Sequence, residues 1–216
     1  MFTISLNKAH SYILHVLDEL QNASDTAFLT EGGELDTLKL TSGFLTEAVL
    51  KAHKDAPSHL LDGVIGVLGT DYDVEINDGV AKIVMLKTSA RLASFKSSDS
   101  PVVISDCVAE DSPIGRAQNN KYVRGTYDDP RLIIKRAWQG ERKPEYLYYS
   151  ILDPNATFTL EYIPFPEEDS DEYEVAEKLE YAVLNLLASM VLDALTLSEK
   201  ANIYRAKYQE YLQTSR

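Results

Sequence analysis

The residues able to do chemistry in this 216-residue chain are few and scattered. Its one cysteine, Cys107, is followed by Val108 and Ala109 and has no partner at metal-ligand spacing, so it reads as a small buried hydrophobe rather than a nucleophile. Glu110 and Asp111 come next, and adjacent carboxylates that point in different directions make a poor general acid and base. His10, His15, His53 and His59 lie in or near helical stretches, but none has the spacing to a carboxylate that a HExxH zinc site requires. Asp71, Asp73, Asn77 and Asp78 look like the start of a calcium loop, yet the glycine and the closing glutamate fall at the wrong places. A turn is expected there. GxxxxGK[ST], GxGxxG after a strand and GxSxG are all missing, so neither phosphate cradling nor acyl transfer is signalled. The expectation is a protein that is not an enzyme and needs no metal or cofactor.

The elements that would hold a site divide by period. Thr3 or Ser5 is placed to cap a first helix through Ala9, Ile13, Val16, Leu17 and Leu20, ending near Ala23. Ser24 to Leu35 suits a loop, and a second helix runs from Asp36 or Thr37 through Leu38, Leu45, Val49 and Leu50 to Pro57. After Leu61 the pattern alternates. Candidate strands are Val64 to Leu68, Tyr72 to Ile76, Val80 to Leu86, Val102 to Ser105, Arg131 to Trp138, Glu145 to Leu152 and Thr157 to Ile163. Asn77-Asp78-Gly79 signals a hairpin, and Ser112-Pro113 a short capped helix. At the C-terminal end Val175, Leu179, Ala182, Val183, Leu186, Leu187 and Met190 share one face, which predicts one long helix from Tyr173 to about Leu197. A second, more exposed helix follows from Ser198 through Ala201, Tyr204, Tyr208, Tyr211 and Leu212. The predicted fold is α+β: a helical bundle from both chain ends (residues 1–63 and 165–216) with a β-rich insertion at 64–164.

Length and a 44% hydrophobic content allow one large domain or two small ones. With no charged-then-apolar leader and no apolar run of spanning length, synthesis and retention in the cytoplasm are expected, away from membranes. The net charge of -13 is unevenly spread. From Lys82 to Lys143 twelve Lys and Arg face seven Asp and Glu, an excess of five that leaves about -18 for the rest. An acidic total argues against general nucleic-acid binding, and the segregation suggests unlike faces that meet between copies.

Thr88 to Arg91, Pro101 to Val103, Glu110-Asp111-Ser112-Pro113, Gln118-Asn119, Arg124-Gly125-Thr126, Tyr127-Asp128-Asp129-Pro130, Tyr148 and Leu160 to Pro164 occur in an order and spacing with a parallel elsewhere. Together with the closing stretch Ala201 to Gln209, they resemble the head-to-tail connector (adaptor) proteins of short-tailed bacteriophages. The resemblance implies a virion structural protein made in the host cytoplasm, a helical bundle carrying a β-rich insertion, with no enzymatic activity. Its partners would be further copies in a homo-oligomeric ring, commonly a dodecamer, the portal protein and neighbouring tail or ring proteins. DNA would pass through the channel without sequence-specific binding, and no membrane is involved. On this view Arg116, Lys121, Arg124, Arg131 and Arg136 are candidate inter-subunit contacts, with Glu167, Glu168 and Glu174 among their acidic counterparts. Two other classes stay open: a cytosolic, non-enzymatic regulatory or peptide-binding protein, and a hydrolase using Glu110 or Asp111.

Overall fold

The computed structural model describes residues 2–23, 37–61, 66–68, 72–86, 88–135, 144–166 and 170–214. The chain begins with β1 (Phe2–Ser5), α1 (Leu6–Ala23) and α2 (Thr37–Asp55), then a 3-10 turn at Ser58–Leu60. Next come β2 (Gly66–Leu68), β3 (Tyr72–Asn77), β4 (Val80–Met85), β5 (Ser89–Ser97), β6 (Val103–Ile104) and β7 (Val108–Ala109). The short α3 (Pro113–Ala117) precedes β8 (Arg131–Lys135), β9 (Glu145–Tyr149) and β10 (Phe158–Pro164). β11 (Glu172–Val175), a 3-10 turn at Glu177–Leu179, α4 (Glu180–Ala194) and α5 (Ser198–Thr214) follow. Two compact units result, one of Met1–Val64 with Pro166–Arg216, the other of Ile65–Phe165.

In the first unit α4 is the central element, with α1, α2 and α5 packed on it. Every residue from Ala182 to Ser189 is buried, so the single apolar face read from sequence is too narrow: the middle two turns of α4 are covered all round, while Tyr181, Asp193 and Ala194 near its ends are exposed. The one amide in that run is satisfied, since Asn185 Oδ1 accepts from the Tyr12 hydroxyl at 3.2 Å and Nδ2 donates to the Tyr181 carbonyl at 2.7 Å. α4 ends in a left-handed residue, Thr196 (φ 60°). The Leu197 amide reaches the Leu192 carbonyl at 2.9 Å and the Thr196 amide reaches Asp193 at 3.0 Å, the paired bonds of a Schellman stop. This turn sends α5 back along α4, where Tyr208 donates to Asp55 Oδ2 at 2.9 Å and ties α5 to the end of α2.

The helical bundle expected from both chain ends is corrected by this unit. Neither end is purely helical: the N-terminal part opens on β1, the C-terminal part on β11, and the two strands pair antiparallel with Ile4 opposite Tyr173 and Phe2 opposite Val175. The long helix predicted from Tyr173 therefore starts only at Glu180. Tyr173 and Val175 are buried and Glu172 and Glu174 exposed, a period of two that four residues are too few to distinguish from the helical spacing continuing through Leu179. What decides is the partner strand, which lies at the far end of the chain.

The second unit is a pair of sheets. One has the order β2-β10-β5-β6 and the other β3-β4-β9-β8-β7, antiparallel throughout except for the parallel pair β7 and β8. Phe95 and Phe158 from the first sheet meet Tyr148 from the second, with ring centroids 4.8 to 5.9 Å apart, and Ile83, Met85, Leu132, Tyr146 and Leu160 join the same core. The sheets thus pack face to face. The β3–β4 hairpin turns on Asp78 (φ 50°) and Gly79 (φ 73°), the positive angles of a two-residue turn whose twist matches the strands. β5, flanked on both sides in its sheet, was not among the expected strands: Ser, Lys and Arg interrupt its apolar residues, and its burial does not alternate cleanly.

The Tyr148 hydroxyl is buried and meets no hydrogen-bond partner among the described residues. A stranded hydroxyl costs desolvation without a return. Tyr148→Phe should therefore leave the melting temperature unchanged or raise stability by up to about 1 kcal/mol; a loss of similar size in thermal unfolding would reveal a partner for that oxygen.

Candidate functional site

The side chains that could do chemistry stay apart. Cys107 is half-buried, and burial, followed by the nearby Asp106 carboxylate, pushes its thiol up, away from the thiolate a nucleophile needs. Glu110 and Asp111 are exposed on the turn leading to α3. His10 Nε2 lies 3.0 Å from Thr37 Oγ1, His15 pairs with Glu19 at 3.1 Å on the same helix face, His59 is exposed, and His53 is buried with neither ring nitrogen partnered among the described residues. Among the described residues no group of three His, Cys, Asp or Glu could hold a metal ion. Asp73 is exposed on β3, while Asn77 and Asp78 belong to the hairpin; Asp71 lies outside the described residues. No helix among the described residues is long and apolar enough to cross a membrane.

The segment from α3 to β8 is built differently. Ser112 caps α3, its Oγ accepting from the Gly115 amide at 3.0 Å and donating to the Ala109 carbonyl at 2.7 Å. Gly115 is required for this close approach, since a Cβ there would sit 2.3 Å from the Ala109 carbonyl oxygen. Beyond α3, the buried Gln118 is the hub. Its Oε1 accepts from the Gly125 amide at 2.8 Å, its Nε2 donates to Ile114 O at 3.2 Å, and its own carbonyl accepts from Arg124 Nε at 3.1 Å. Arg124 Nη1 also reaches the Asp78 carbonyl at 3.2 Å, and the guanidinium carbon stands 5.9 Å from the Tyr149 ring centre. Ser150 Oγ donates to the Thr126 carbonyl and Ser100 Oγ to that of Tyr127, fastening the segment to neighbouring turns.

On this braced backbone Ile114, Tyr122, Val123 and Tyr127 are exposed, Tyr122 at 85%. Four large apolar side chains are thus held in solvent along one short segment. Sequence reasoning singled out the cations here and missed the apolar residues, although Tyr122-Val123 inside a polar stretch was a visible signal. It also could not see what the cations do. Arg124 holds its own loop, Arg131 pairs with Asp129 at 2.5 Å, and Lys82 and Lys135 flank Glu145 at 3.6 and 2.8 Å. Much of the basic excess of this region is thus engaged within the unit. Arg116 and Lys121 are exposed, Lys121 with its ammonium 5.2 Å from the Tyr122 ring centre. Glu174 is exposed on β11 opposite Thr3; Arg136, Glu167 and Glu168 lie outside the described residues.

No protein-family model matches this chain, and no curated protein matches it.

Proposed function

We propose that the chain is a structural protein of the head-to-tail junction of a short-tailed bacteriophage. It acts as a homo-oligomeric ring between the portal and the tail proteins, surrounds the DNA channel and carries no enzymatic activity. The observation that carries this reading is the braced α3–β8 segment, which displays Ile114, Tyr122, Val123 and Tyr127 beside Arg116 and Lys121. Apolar and aromatic side chains on pre-organised backbone, rimmed by charge, suit a protein partner. The ordered sequence resemblance supports the same class. A net charge of -13 supports passage of DNA over retention, because each phosphate neutralised by Lys or Arg would hold it.

Electron imaging of the purified chain, alone and mixed with portal protein, tests the reading. A symmetric ring is expected. Its assembly should weaken with added salt without being abolished, since exposed ion pairs contribute only about 0 to 1 kcal/mol each and the apolar residues carry the remainder. A chain that stays monomeric and binds no virion component, yet captures a specific host peptide, would move the assignment to a cytosolic regulatory protein.

A further inference from the structure

We infer that Tyr181 and Tyr211 form an oxidative cross-linking site, at which a one-electron oxidant, such as a peroxidase acting with hydrogen peroxide, couples the two phenol rings to dityrosine and joins α4 to α5 covalently. The register of the two helices sets the pair. Tyr181 lies thirteen residues before the end of α4 at Ala194, and Tyr211 thirteen after the start of α5 at Ser198, so helices of equal rise folded back at Thr196 bring them level. Their ring centres stand 5.9 Å apart, with planes only 15° from parallel. Both are exposed, at 55% and 41%, so an oxidant in solvent reaches them, and rotation about χ1 and χ2 swings one ring edge onto the other.

The step balances. Each phenol gives one electron to the oxidant and its hydroxyl proton to water, the two phenoxyl radicals join through a bond between their Cε carbons, and the hydrogen on each of those carbons moves to oxygen, which restores both rings. Hydrogen peroxide takes up the two electrons with two protons and leaves as two waters. Proximity selects the product, because radicals held side by side couple within the chain before they meet another copy. Proton release selects the site. The Tyr12 hydroxyl donates to the Asn185 amide oxygen, a poor base, and burial, followed by the phenols of Tyr204 and Tyr211, pushes it up to about 12. Tyr148 is buried with no acceptor among the described residues, and Tyr208, which does face the Asp55 carboxylate, is buried out of an oxidant's reach. Tyr181 and Tyr211 release their protons to water. Tyr122 is more exposed still, but among the described residues no second tyrosine ring stands against it, so it couples only between copies.

The test treats the dilute full-length chain with peroxidase and hydrogen peroxide. Dityrosine fluorescence should rise on a species that still migrates as one chain under denaturing conditions, and digestion should yield the Tyr181 and Tyr211 peptides joined with the loss of two hydrogens. Tyr211→Phe keeps the ring but not the hydroxyl, and should cut that fluorescence at least about tenfold. Tyr122→Phe should leave it unchanged and remove only cross-links between copies. The joined chain should also unfold at a higher temperature than the untreated one, since the link closes a loop in the unfolded state, and oxidised Tyr211→Phe should show no such gain. Single-chain cross-links that survive Tyr211→Phe, cross-links that join only separate copies, or none at all while Tyr122 is oxidised, overturn the site. No arm requires assembly, so failure here leaves the ring reading standing.

Discussion

Phe95→Ala should destabilise the Ile65–Phe165 unit by about 3 to 5 kcal/mol, the range of a buried aromatic truncated to a methyl. Phe95 is fully buried on β5, a strand flanked by β10 and β6, and its ring lies 4.8 Å from that of Tyr148 and 5.7 Å from that of Phe158. Truncation removes the transfer free energy of the ring, leaves a cavity that paired strands on both sides cannot close, and deletes two aromatic contacts worth about 0.5 to 1.5 kcal/mol each. Against a typical domain stability of about 5 to 15 kcal/mol, that is enough to leave a marginal unit substantially unfolded. Loss of near-ultraviolet circular dichroism at lower denaturant reads it out. A change under about 1 kcal/mol would show that the two sheets do not share this core. The α3–β8 segment should loosen with the core, because it is fastened to the same sheets through Gly125, where a Cβ would stand 2.4 Å from the Tyr149 carbonyl, and through Ser150.

Acid should destabilise the protein through one histidine. His53 is 2% exposed on α2, and burial holds its imidazole down at about 4 against an ordinary value of 6.5, with neither nitrogen hydrogen-bonded among the described residues. The folded state thus binds this proton less readily than the unfolded one. The neutral form's contribution is fully present above pH 6.5 and is lost as the pH falls toward 4, where the unfolded chain takes up a proton that the folded chain refuses. The difference integrates to about 3 kcal/mol. Denaturant unfolding across that window should show stability falling with acid in the wild type and falling less by that amount in His53→Leu. Every other ionisable group is common to the two proteins, so its effect cancels in the comparison. Parallel curves for the two would clear His53 of the effect.

The features legible in the sequence are those that act over a few residues. Asp78-Gly79 demands positive φ and makes a hairpin wherever strands flank it. Ser112 before Pro113 caps a helix by a bond that spans three residues. The apolar spacing through α1 and α4 requires buried helices, and the alternation after Leu61 requires strands. Tertiary structure decided whatever depends on a distant partner. β1 and β11 exist because Phe2–Ser5 and Glu172–Val175 satisfy each other's backbone groups across almost the whole chain, a pairing that four residues at either end cannot announce. β5 is a strand despite its lysine, arginine and serines because neighbours on both sides complete its ladder. Arg124 looked like a free surface cation and became a brace, because only folding brings the Gln118 and Asp78 carbonyls to its guanidinium. The exposed tip of Tyr122 and Val123 is the same lesson in reverse: an apolar side chain is expected inside, and only the folded backbone, already satisfied around Gln118, holds it out in solvent.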